Sequence, residues 1–151
     1  MPLWKKELKA AFVTQMKLQK LVFFAHGLHL AKHDAPLIKE RFQAWKFGPV
    51  VPSIYRDYKF YGSSPIADTD YLFSFGNSDT RELWLKEMDE WARESIDITW
   101  EGLKDISAAQ LSNWTHKEGS PWSQNYVKGI NDIVIPDEQI KQYFKANITK
   151  Q

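Results

Sequence analysis

The chain has 151 residues and a formal net charge of +1, with 43% hydrophobic and 26% charged residues, which suits one compact globular domain with a sizeable core. It contains no cysteine, so disulfide frameworks, thiolate zinc sites and cysteine nucleophiles are excluded. No stretch is apolar and long enough to span a membrane, and "MPLWKKELKAAF" lacks the apolar core and cleavage site of a signal peptide, so a cytoplasmic protein is expected.

"PLWKKELKAAF" reads as a short amphipathic helix, and Thr14 as the N-cap of a longer one running through "TQMKLQKLVFFAHGLHLAKHD". Leu18, Leu21, Val22, Ala25, Leu28 and His29 fall at helical spacing and predict one apolar stripe. Gly27 costs that helix about 1 kcal/mol relative to alanine, which points to another element packing closely there. "PLIKERFQAWKF" predicts a short extended or irregular piece. In "KFGPVVP", Gly48 permits a backbone other residues resist, and Pro49 and Pro52 fix φ and push the residues before them toward extended geometry. A rigid extended turn is therefore expected over 47–51, with Pro52 opening a helix that Gly62 ends. Ile54, Tyr55, Tyr58 and Tyr61 are expected on one face of it.

Alternation at Tyr71, Phe73 and Phe75 predicts a short strand or hairpin. Asp79, with Glu82 in capping-box position, predicts a long helix carrying Trp84, Met88, Trp91, Ser95 and Ile98, broken early by the β-branched residues near Ile96 to Thr99. Ser107 caps a helix over "AAQLSNWTH", which His116 closes and Trp122 covers. Pro136 opens the last helix, with Asp137 and Glu138 in its positive first turn. The expected fold is mainly α, a compact single-domain multi-helix fold with a short minor β-hairpin or extended segments.

Charge is uneven. Residues 1–33 carry six lysines against Glu7 alone, whereas 66–105 is strongly acidic. Two solvated faces of opposite sign are the plainer expectation, and the overall neutrality argues against a dedicated nucleic-acid binder. His26, His29 and His33 lie along one helix stripe, and His116 could join them. A straight helix spreads the first and last of the three about 10 Å apart, too far for one ion, so half-buried histidines at helix crossings are expected and no metal. There is no phosphate loop, nucleophile elbow or His-Glu-x-x-His helix. No catalytic residue and no cofactor is expected. The competing reading is a metal-dependent enzyme built on the histidines.

Four pieces together carry a resemblance: "KLQKLVFFAHGLHLA" (17–31), "FQAWKFGPVVPSIYRDYKFYG" (42–62), "LSNWTHKEGSPW" (111–122) and "IPDEQIKQYF" (135–144). In order, spacing and residues the chain resembles the Panacea domain, the family of SocA-like and GepA-like phage- and plasmid-associated antitoxins, from Lys17 to Phe144. The signature positions matched are Trp45, Gly48-Pro49-Val50-Val51-Pro52, Tyr55, Thr115-His116 and Pro121-Trp122. The chain departs from the pattern at Phe23-Phe24, where a tyrosine is common, and at His26, where a glutamine is usual.

The resemblance implies a single antitoxin domain over 1–151 with no enzymatic activity. It would neutralise a cognate protein toxin, usually encoded beside it, by direct contact. The alternative within the family is an adaptor that delivers its toxin to a bacterial protease. On this reading Gly48 to Pro52, Tyr55, Thr115, His116 and Pro121 are structural. The candidate toxin-binding residues are the aromatics Trp45, Tyr58, Trp114 and Trp122, flanked by Lys46 and Lys117. At least two of the four aromatics are expected to be exposed, with Tyr55 and Trp91 in the core.

Overall fold

The computed structural model describes residues 13–66 and 89–148. Among these, the elements in chain order are α1 (Gln15–His33), β1 (Phe42–Trp45), β2 (Gly48–Val50), α2 (Pro52–Tyr58), α3 (Glu90–Leu103), α4 (Ala108–Thr115), α5 (Pro121–Asn125), β3 (Val134–Ile135) and α6 (Asp137–Ile148), with a 3-10 turn over Lys59–Tyr61 after α2. The fold is mainly α and compact, with one small sheet. No described helix is long and apolar enough to cross a membrane.

The helix ends follow their sequence signals. Thr14 accepts the Lys17 N–H at 3.2 Å, and Ser107 accepts that of Gln110 at 3.1 Å. Pro52 occupies the first turn of α2, and Asp137 and Glu138 that of α6. α1 stops at Asp34, whose N–H still reaches the Leu30 carbonyl while its left-handed backbone (φ 55) turns the chain off the helix axis.

The helix over 2–12, the strand at Tyr71 to Phe75 and the Asp79 cap lie outside the described residues. α3 has its own cap, since Asp89 accepts the Ala92 N–H at 2.7 Å. The β-branched run does not break it. α3 continues to Leu103 because Thr99 and Trp100 face inward and are buried, so tertiary packing overrides local propensity.

α1 runs through the middle of the molecule and touches α2, α3, α4, α6 and β2. Its burial therefore goes right round rather than along the expected stripe, taking in Lys17, Gln19, Lys20, Phe23, His26 and Gly27. One cluster beside it gathers Val13, Leu21, Tyr58, Ile66, Trp100 and Leu111. A second gathers Phe23, Leu30, Phe42, Val51, Ile140 and Phe144. The Phe144 ring lies where a side chain on Gly27 would begin, which accounts for glycine in mid-helix.

The sheet is antiparallel in the order β2-β1-β3. Trp45 pairs with Gly48 and Gln43 with Val50 on one side of β1, and Phe42 pairs with Ile135 on the other. Phe42 and Ala44 point into the core, while Gln43 and Trp45 alternate to the opposite face.

The charge asymmetry is partly internal. Lys17 donates to the Lys104 carbonyl at the end of α3, and Lys32 pairs with Glu94 of α3 at 2.5 Å. The basic and acidic segments thus meet along the α1–α3 contact instead of forming two wholly solvated faces.

Candidate functional site

The β1–β2 hairpin is the most tightly specified surface feature. Gly48 has φ +123, a region that favours glycine, and a Cβ there would sit 2.7 Å from Lys20 Nζ and 3.1 Å from Thr115 Oγ1. The Gln19 side-chain amide holds the backbone just beyond β2. Its oxygen accepts the Val51 N–H at 2.9 Å, and its nitrogen donates to the Val51 carbonyl at 3.2 Å. Pro52 then starts α2.

The other side of the hairpin is held by the end of α4. Ser112 Oγ donates to the Phe47 carbonyl at 3.1 Å. His116 places Nδ1 2.5 Å from the Ser112 carbonyl and Nε2 3.4 Å from the Lys46 carbonyl. Thr115 Oγ1 donates to the Ser112 carbonyl, and Ser120 Oγ to that of Thr115, both at 2.7 Å. Pro121 opens α5 and is buried, and Trp122 lies against the His116 ring with centroids 3.8 Å apart. Trp122 Nε1–H donates to the Trp45 carbonyl at 2.6 Å. The segments 45–52 and 112–122 are therefore one bonded assembly resting on α1.

Lys20 sits at its centre, 1% exposed. Burial pushes its ammonium down to about 8, because taking the charge out of water disfavours the protonated form.

The exposure of the aromatics differs from expectation. Tyr58 is buried, and Trp45, Trp114 and Trp122 are half-buried. Trp114 packs edge-on against Phe24, and Trp122 stacks on Tyr126. Tyr55 and Trp91, expected in the core, are exposed at 39% and 56%. The reason is local. α2 is short and turns Tyr58 inward, leaving Tyr55 to lean on Trp45, with ring centroids 4.9 Å apart. Trp91 lies at the rim of α3, stacked on His33.

Trp45 keeps its indole N–H bonded to Gln43 Oε1 at 3.0 Å. Lys46 and Lys117 are exposed, as is Phe47 between Lys46 and Gly48. Phe47, Gln19 and Lys20 were not singled out in the sequence. The usable signals were the tip position of "KFGP" and two polar residues inside an apolar helical run.

The four histidines do not gather at one point, although the His29 and His33 rings lie with centroids 5.0 Å apart. His26 is fully buried, with Nε2 3.0 Å from Asp137 Oδ1 and Nδ1 facing the Ile38 N–H at 3.4 Å. The second bond makes Nδ1 the acceptor, so Nε2 carries the proton and donates to the carboxylate. Burial lowers its pKa against the opposing pull of Asp137. His29 Nδ1–H donates to the Ala35 carbonyl at 2.7 Å, and His116 belongs to the hairpin assembly. Among the described residues no three His, Asp or Glu side chains gather to hold a metal ion.

The family model described as "Antitoxin SocA-like, Panacea domain" matches residues 18–123. That region contains the whole hairpin assembly. It stops short of Phe144, to which the sequence resemblance extended, so β3 and α6 fall outside it. The chain is 33% identical over 114 residues to "Antitoxin SocA" of Caulobacter vibrioides (strain NA1000 / CB15N), a match covering 73% of this chain and 58% of that relative. No solved structure matches the chain. With its matched region centred on the assembly of Gln19, Lys20, the Gly48 turn and the Thr115-His116 helix end, the chain belongs to the SocA-like Panacea domain family.

Proposed function

We propose that the chain is an antitoxin that neutralises a cognate protein toxin by direct contact and performs no chemistry of its own. Family membership carries this reading. The geometry supports it. The segments that carry the signature residues are tied together through Ser112, His116 and Trp122 on the carbonyls of Phe47, Lys46 and Trp45, and to α1 through Gln19 on Val51, as a scaffold would be, and they carry a surface bearing Trp45, Lys46 and Tyr55, with Lys117 following His116. Surfaces of this make-up suit protein recognition, since interface cores favour aromatics and a charged rim guides encounter. In this reading Trp122 braces the surface from behind. Tyr58 and Trp114 act from inside the fold and not as contacts.

The test is co-expression with the toxin encoded beside the chain. Growth should be rescued, and the two proteins should co-purify as a stoichiometric complex from wild-type and protease-deficient hosts alike. Rescue that disappears with the protease would identify delivery for degradation instead. Rescue without any complex would rule out neutralisation by binding.

A further inference from the structure

We propose that Phe47, at the tip of the β1–β2 hairpin, is the main anchor of the toxin contact, and that it enters an apolar pocket rimmed by carboxylates on the toxin. This rests on the antitoxin reading and names the partner chemistry of its surface.

Phe47 is 59% exposed, a large apolar ring in the turn between β1 and β2. Other large apolar side chains are exposed too, but they are placed differently. The Trp91 ring already has one face covered by His33 at 4.3 Å. Phe60, 70% exposed, rides on a single 3-10 turn.

The backbone of Phe47 is held on every side. Its carbonyl accepts from Ser112 Oγ, the Lys46 carbonyl faces His116 Nε2, and Trp45 pairs with Gly48 across the hairpin. Gly48, with φ +123, fixes the exit of the turn. An exposed ring on a pre-ordered backbone loses little conformational freedom on binding, which is the condition under which one aromatic carries much of an interface's affinity.

Two features give the partner its chemistry. Tyr55, on Trp45, widens the apolar surface next to the tip. Lys46 reaches over the Phe47 ring, its Nζ 5.4 Å from the centroid. Lys46 and Lys117 are exposed and make no ion pair among the described residues. A pocket that receives Phe47 therefore meets the Lys46 ammonium at its edge, and carboxylates there would be complementary.

The test measures affinity for the co-purified toxin by calorimetry, with circular dichroism as a check of folding. Phe47→Ala should weaken binding about 30-fold or more with an unchanged melting temperature, because an exposed side chain leaves no cavity. Phe47→Leu should retain most of the affinity. Lys46→Glu should weaken binding and reduce its salt dependence. Phe60→Ala should bind as the wild type does. If the wild type binds and Phe47→Ala stays within threefold of it, the anchor is overturned while the antitoxin reading stands. If the wild type neither binds nor rescues, both are overturned.

Discussion

Gly27 and Lys20 show two ways in which single residues are constrained by what packs on α1. Alanine at Gly27 gains about 1 kcal/mol of helix propensity, but its methyl group would overlap the Phe144 ring. Overpacking of that kind costs about 1–3 kcal/mol, so Gly27→Ala should destabilise the protein in urea titrations. A stabilised variant would mean that the ring swings aside freely. The sequence already hinted at a close neighbour, because glycine in mid-helix is unfavourable unless something needs the space. It could not name Phe144, more than a hundred residues away.

Lys20 gives a pH signature. Its pKa is about 8 in the folded protein against 10.5 for an ordinary lysine. Below pH 8 both folded and unfolded states hold the proton, and the cost of burying the charge is fully present. Between about pH 8 and 10.5 the unfolded state binds more protons, so stability rises with pH, by up to roughly 3 kcal/mol. Lys17, also lowered by burial, adds in the same direction. Tyr143, raised by burial, opposes them above its ordinary value of 10. Melting temperature should therefore climb from pH 8 to pH 10, and Lys20→Met should flatten most of that climb. An equal climb in the variant would place the titration elsewhere.

At the level of elements, local chemistry predicted boundaries well and faces poorly. Thr14, Ser107 and Pro52 each mark a helix start through a bond or dihedral contained within a few residues. Tyr55 and Tyr58 share a loose face by spacing, and only the arrival of Trp45 from β1 decides which one stays outside. β3 escaped notice for a similar reason. Val134 and Ile135 form a strand only because Phe42 and Gln43 are there to pair with them, and "IVIP" reads equally as the approach to α6.

The contact between α1 and β2 offers a direct test. Gln19 makes both bonds to the buried Val51 backbone through one side chain. Gln19→Ala should cost about 2 kcal/mol, since a buried N–H loses its acceptor. It should also speed hydrogen exchange at the Val51 amide more than at amides in α6. Uniform acceleration everywhere would indicate global destabilisation only.

Among the described residues, α1 is the common partner of five other elements in both halves of the core. The fold class was legible from helical spacing and caps. The central position of α1 was not, because its polar residues hid a burial that continues all the way round. Lys17, Gln19 and His26 are inside because they reach a backbone carbonyl, the Val51 backbone and a carboxylate, and Lys20 lies with its ammonium against the Gly48 turn. A core organised around one helix should unfold as a unit. Far-ultraviolet dichroism and tryptophan fluorescence should give coincident denaturation curves, and separated midpoints would reveal that the α6 side melts independently.

The pairing of Gln19 with Val51 also bears on solubility. β2 is an edge strand, and an open edge is a template on which a second chain can add a strand. Pro49 has no N–H to offer, and the Gln19 amide takes up both polar groups of Val51 much as a neighbouring strand would. The β2 edge of the small sheet is thereby closed to growth by a side chain of its own chain. Gln19→Ala would reopen it, and the variant should form thioflavin-positive aggregates at concentrations where the wild type stays clear.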